Sequence, residues 1–379
     1  MNDSKTPSNG PANRRSFLKK GFAAGATTVG VGLVANSFSA LAKDSDNSGS
    51  LGRGDAAILQ FLAAAEIIES DLWVQYNELG GIQDLERPEL GGGGSLPYTQ
   101  ALQNLDSDMP QYIHDNTDDE LSHAQFINAY LASRGADTVN LDAFRILPSS
   151  KASGAVQIGR ITNLMQLTVD TSWYTKYRSS TNNPDLNPGF TFPQAVPGLA
   201  KGQHPAIPRT DSDLSPQNHI QAIANTAGFH FCFIEQGGTS LYPSLAQRVT
   251  DAEVLRILLS IGPTETAHFQ TWHDKAGNGV SDPLAPLTDP NDPTLVFPNL
   301  NVTPGGENFQ TNLIMPEPCP FLKSKFPVCS IVRPTNTAGA AMGAAKALIA
   351  DGLFFGQHNQ FFELLFDLAS DADAARRDL

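Results

Sequence analysis

Cysteine is scarce in this chain, with three in 379 residues. That is too few for a disulfide scaffold, and their spacing fits no zinc finger. Basic residues are also few, 25 against 39 acidic ones, for a formal charge of −14. Nucleic acid is therefore excluded as a partner, because phosphate binding needs a basic surface. An acidic surface keeps a chain soluble and draws in cations. Charged residues make up only 17% and hydrophobic ones 40%, the balance of a globular protein and not of a disordered one. At this length, core size is no limit. Cys232 lies in the apolar run from Phe229 to Ile234 and reads as a buried, inert thiol. Cys319 and Cys329 bracket CPFLKSKFPVC. They form either a bridge in an oxidising compartment or two unpaired thiols.

At the N-terminus, Arg14 and Arg15 precede Ser16, Phe17, Leu18 and Lys19, and an uncharged, Gly- and Ala-rich stretch runs from Gly21 to Ala42. Ala40-Leu41-Ala42 supplies a small-x-small cleavage pattern. The segment resembles a twin-arginine export signal. That implies a signal peptide over 1–42, use of the twin-arginine export machinery, and a periplasmic or otherwise exported mature chain. An uncleaved membrane anchor is the alternative by length, and the glycines and polar residues disfavour it.

A linker over 43–54 leads into four stretches with helical periodicity. The first, Asp55 to Leu79, carries Leu59, Leu62, Ile68, Leu72, Trp73 and Tyr76, and Gly80-Gly81 stops it. The second starts at Asp108 with Pro110 in its first turn, carries Ile113, Ile127, Tyr130 and Leu131, and ends at Arg134-Gly135. A crossover over 136–217 follows, with one expected helix at about 155–177. The third opens at Ser215-Pro216 and runs towards Tyr242-Pro243. The fourth opens on a capping-box pattern, Thr250-x-x-Glu253, and runs to about Lys275 with Pro263 inside it. The remaining 277–379 is Pro-rich and loop-rich, with helices expected at 338–351 and 354–370.

Acidic residues and histidines interrupt the apolar stripes of all four helices. Glu66 and Glu69 lie on the first, Glu120 and His123 on the second, Glu235 on the third, Glu265 and His268 on the fourth. A carboxylate buried without a partner costs several kcal/mol or takes up a proton. Metal ions would offset that cost. Residues i and i+3 share a helix face, so DELSH (Glu120, His123) and TETAH (Glu265, His268) each aim a carboxylate and an imidazole at one point. Carboxylate oxygens with neutral imidazole suit iron or manganese. A bundle with buried ion pairs and no metal is the alternative, and few basic residues lie near enough in sequence to form those pairs.

The order Glu, Glu-x-x-His, Glu, Glu-x-x-His resembles the ferritin-like di-metal carboxylate proteins. The resemblance covers about 55–276. It implies an all-α fold: a ferritin-like four-helix bundle with a long crossover and a partly helical C-terminal extension. It implies two iron or manganese ions bridged by Glu120 and Glu265, capped by His123 and His268, with Glu69 and Glu235 as terminal carboxylates. Tyr76 stands seven residues past Glu69, and Tyr242 stands seven past Glu235. That spacing recurs in the bacterioferritin and rubrerythrin branches and favours Glu69 over Glu66, which is left as an extra ligand, a residue supporting the ligands from behind or an ion-pair partner. Both tyrosines read as core or redox-active residues, and His114, His230 and His273 as bystanders. More narrowly, the chain is similar to exported ferritin-like proteins related to desiccation proteins. The resemblance implies redox chemistry with oxygen, peroxide or ferrous ion in stress defence, or else a non-catalytic protective or metal-binding envelope protein. It leaves the catalytic residues unassigned and an oligomer open.

Overall fold

The computed structural model describes residues 49–83, 92–177, 189–302, 315–317, 329–331 and 338–376. The export signal and the Cys319–Cys329 pairing lie outside the described residues. Four long helices dominate: α1 (Arg53–Gly80), α3 (Met109–Ser133), α5 (Gln217–Ala246) and α6 (Ala252–Asn278). A short helix, α2 (Leu96–Gln103), connects α1 to α3. At about 1.5 Å per residue each long helix spans roughly 40 Å. In the bundle, α1 packs chiefly on α3, and α5 on α6. Among the described residues the fold is all-α apart from two small antiparallel strand pairs, β1 (Leu287–Asp289) with β2 (Asp292–Phe297) and β3 (Met315–Glu317) with β4 (Cys329–Ile331). Among the described residues no helix is long and apolar enough to cross a membrane.

Helix ends follow local chemistry, though not always the chemistry expected. Gly135 at φ 70° closes the α3 end, a left-handed turn that glycine adopts without strain. At α6 the expected capping residue is displaced by one. Asp251, and not Thr250, accepts from the Glu253 and Val254 amides. Thr250 instead gives its amide and hydroxyl to Asp55 at the start of α1, at 2.8 and 2.6 Å. Helix α5 also continues three residues past Pro243, where burial of Leu245 and Ala246 holds the last turn.

The expected helix at 155–177 is largely absent, and only α4 (Ser172–Lys176) forms there. Ile161, Leu164 and Leu167 are buried at a three-residue spacing that imitates a helical stripe. Their backbone is instead paired with other segments: Leu167 with His204, Thr168 with Asp351, Val169 with Leu199. Irregular buried backbone needs such partners. Asp71 of α1 supplies several, accepting from the Ile161 and Thr162 amides, the Thr162 hydroxyl and Arg145 at 2.7–3.0 Å.

Helix α3 is buried along one stripe, as a surface helix should be. Helix α1 is buried on almost every face. The C-terminal extension explains the difference. Its helices α7 (Ala340–Ala350) and α8 (Asn359–Ala374) pack together, and α8 lies against α1.

Candidate metal centre

Each long helix brings part of one buried cluster. Glu66, Glu120, His123 and Glu265 offer ligand atoms that lie within 4.8 Å of one another, and so do Glu120, Glu235, Glu265 and His268. The two groups overlap at Glu120 and Glu265, the first residues of the two Glu-x-x-His pairs. Nδ1 of His123 stands 3.1 Å from Glu120 and 3.3 Å from both Glu66 and Glu265. Nδ1 of His268 stands 3.1 Å from Glu120 and 3.2 Å from Glu235. Glu66, Glu120, Glu235 and Glu265 are fully buried.

Glu69 belongs to neither group, although its side chain is buried beside them. The α1 member of the first group is Glu66, where the tyrosine spacing favours Glu69. Both lie on the same face of α1, three residues apart, and only the rotation of that helix against α3 and α6 separates them. The tyrosines also part company. Tyr242 donates its hydroxyl to Glu66, whereas Tyr76 donates to His230 at 2.7 Å, away from the carboxylates.

The electrostatics are those of a cation site with no basic side chain in it. Among the described residues the ion pairs of these glutamates are all with His123 and His268. Burial pushes the Glu66 carboxyl up to about 7, against the pull of His123. Burial and then the charge of neighbouring glutamates raise Glu69 and Glu265 well above the usual carboxylate range. Glu235 is raised by burial too, partly offset by His268. Glu120 is held low despite its burial, because both imidazoles hydrogen-bond to it. Those contacts raise both histidines against their own burial.

The residues fit metal ions better than they fit one another. A single imidazole N–H serves one acceptor well, yet His123 Nδ1 faces three carboxylates. Both Glu265 oxygens and Oε2 of Glu66 are buried with no hydrogen-bond partner. Buried polar atoms left in that state are rare and call for an explanation. An oxygen-rich shell with two imidazoles matches iron or manganese.

Sequence pattern alone missed the residues that hold this shell. Asn116, one turn before Glu120, donates to Glu120 at 2.9 Å and to Glu235 at 3.0 Å, and accepts from the Trp272 indole at 2.8 Å. Asp119 accepts from His268 Nε2 at 3.1 Å, which leaves Nδ1 turned to the cluster. The adjacent Asp-Asp-Glu at 118–120 offered a weak hint of the second role. Gly238 also has a use. A Cβ there would lie 2.5 Å from Glu265 Oε2 and 3.0 Å from its Cγ, so glycine lets that side chain lie against α5. Gly237 has nothing within 4 Å.

The three histidines read from the sequence as bystanders stay outside. His114 lies 3.9 Å from Asp118, His230 bonds to Tyr76, and His273 packs among Trp173, Tyr174 and Phe269. Residues 172–177, Ser-Trp-Tyr-Thr-Lys-Tyr, cover the bundle through that same aromatic cluster. Cys232 is buried with its sulfur 3.8 Å from the Phe269 carbonyl. A family model described as a ferritin-like domain matches residues 54–277. No curated protein and no solved structure gives a match.

Proposed function

Because the chain belongs to the ferritin-like domain family, we propose that it binds two iron or manganese ions between its four long helices and uses them for redox chemistry with dioxygen, peroxide or ferrous ion. The observation that carries this reading is the sharing of Glu120 and Glu265 between two otherwise separate ligand groups. Two such carboxylates suit bridging positions. Glu66 and His123 then complete one shell, and Glu235 and His268 the other. Ions so held would supply electron transfer to or from an oxidant bound at an open position.

The chain's own residues set the terms of that chemistry. Asn116 and Asp119 fix the rotamers of Glu120, Glu235 and His268 by hydrogen bonding. Tyr242 anchors Glu66 from α5. Burial and the charge of the neighbouring glutamates favour the protonated form of Glu69 beside the metal-free shell. The Arg14-Arg15 segment supports export, and with it a role in stress defence outside the cytoplasm.

The test is elemental analysis of the purified protein beside a Glu120→Ala, Glu265→Ala variant. We expect about two ions per chain, lost in the double variant. Glu66→Ala should lower the stoichiometry while Glu69→Ala keeps it. Absence of bound metal after anaerobic loading with ferrous or manganous ion would overturn the reading. Ferrous oxidation that continues beyond the bound ions marks catalysis, and oxidation that stops there marks plain metal binding.

A further inference from the structure

A second polar spot is buried where α7 of the C-terminal extension meets α5. His230 of α5 and Asp351 at the end of α7 are both buried, and the imidazole Nε2 stands 3.0 Å from Oδ2 of the carboxylate. That approach is no hydrogen bond. Nε2, Oδ1 and Oδ2 are all buried without a hydrogen-bond partner. His219 offers the contrast, because its Nδ1 makes a 2.7 Å hydrogen bond with Asp289. Among the described residues the ion pair of Asp351 is with His230, and no lysine or arginine joins it.

Both side chains are held in place by other groups. Tyr76 bonds to Nδ1 of His230 at 2.7 Å, and Phe233 stacks on the ring at 6.3 Å. The Asp351 amide donates to the Ala347 carbonyl, and the Asp351 carbonyl accepts from the Thr168 amide. Neither residue is left to turn away from the other.

From this geometry we infer that Nε2 of His230 and the two carboxylate oxygens of Asp351 form a zinc site, separate from the carboxylate cluster, that staples α7 to α5. The inference does not rest on the metal-centre reading. Buried polar atoms without partners are rare, and three that face one another call for a common explanation. One cation satisfies all three, whereas a hydrogen bond satisfies a single pair. Ligand atoms at about 2.0–2.2 Å from one ion lie roughly 3 Å from each other, the spacing seen between Nε2 and Oδ2. Imidazole with carboxylate binds zinc more tightly than manganous or ferrous ion. A water in the fourth position completes the shell. Binding changes the imidazole tautomer and releases no proton from the ring. The ring proton moves from Nε2 to Nδ1, and the Tyr76 oxygen turns from donor to acceptor. A ligating histidine is commonly oriented by such a partner on its other nitrogen.

The staple reaches beyond its two ligands. Thr168 of the crossover bonds to the Asp351 carbonyl at 2.8 Å, and Asn163 bonds to the Leu353 carbonyl at 2.7 Å. Fixing Asp351 on α5 therefore pins the crossover and the C-terminal extension to the bundle together.

The test uses the full chain carrying Glu120→Ala and Glu265→Ala, so that zinc at the cluster does not enter the count. Incubated with zinc and passed through gel filtration, this protein should keep about one zinc per chain. Adding either His230→Gln or Asp351→Asn should remove that ion. Free zinc at about ten times its dissociation constant should slow hydrogen exchange at the Asn163 and Thr168 amides roughly tenfold, and Asp351→Asn should abolish the slowing. Near-ultraviolet circular dichroism checks the packing of each variant. If the cluster variant loses its packing, the wild-type background decides, where each of the two single substitutions should lower the zinc count by about one. Zinc that neither substitution lowers, or no retained zinc, overturns the inference and means that a proton or an ordered water fills the spot. Iron or manganese binding at the cluster can fail without changing this count.

Discussion

Gly238 and Gly237 are neighbours in the middle of α5, where glycine ordinarily costs about 1 kcal/mol relative to alanine. Their surroundings give the two opposite consequences. A methyl group at Gly238 meets Glu265 at 2.5–3.1 Å, while one at Gly237 meets nothing within 4 Å. Gly237→Ala should stabilise the protein by up to about 1 kcal/mol in thermal unfolding and leave metal binding alone. Gly238→Ala should push Glu265 off its position and weaken metal binding, by about 10- to 100-fold, in a competition titration. Equal metal affinity in the two variants would remove Gly238 from the account of the site. Neither role is legible in sequence, because two adjacent glycines look alike until the facing helix is in place.

At the scale of elements, the crossover depends on α1 more than on helices of its own. Asp71 is fully buried in effect, at 3% exposure, and gathers two backbone amides, a hydroxyl and a guanidinium from that segment. Asp71→Ala would leave buried amides without acceptors, at a cost of about 3 kcal/mol or more. Denaturant unfolding should show this loss, whereas Asp142→Ala, which removes an exposed partner of Arg145 and Asn140, should cost less than about 1 kcal/mol. Equal effects would mean that the crossover is held elsewhere. The four long helices and their order were legible from apolar periodicity and end signals. The crossover was not, because its buried residues follow a three-residue spacing by coincidence, while contacts far along the chain dictate its backbone.

The whole molecule carries the charge of the cluster. A carboxyl with a raised folded pKa keeps its proton where the unfolded chain has already lost it. Its contribution to stability therefore falls as pH rises above the ordinary value of 4.5. For Glu66, raised to about 7, the loss on passing from 4.5 to neutrality is about 3 kcal/mol. Glu69, Glu235 and Glu265 shift in the same direction. The two histidines, also raised, add stability that is present below their ordinary 6.5 and is lost above it. Glu120 acts oppositely, but only below 4.5, where a carboxyl held low begins to take up a proton. The metal-free protein should thus melt at progressively lower temperature from about pH 5 to about pH 8. Bound metal replaces those protons, so the metal-loaded protein should lose less, and loading should release protons into weak buffer. A metal-free midpoint that rises over this range would contradict the electrostatics of the site.

The amino-acid sequence by itself determined the helical class, the two Glu-x-x-His pairs and the helices that carry every carboxylate of the cluster. Those features are local: a helix face is written in spacings of three and four residues, and an end is written in its caps. Only the tertiary structure decided that Glu66 stands against His123 while Glu69 stands aside. It alone separated two tyrosines at equal offsets, one bound to a carboxylate and the other to His230. It also recruited Asn116, Asp119 and Gly238. The physical reason is common to all of these. Periodicity fixes which residues share a face, but the residue they meet across the bundle depends on how each helix is rotated and set against its neighbours, and packing of the whole core sets that.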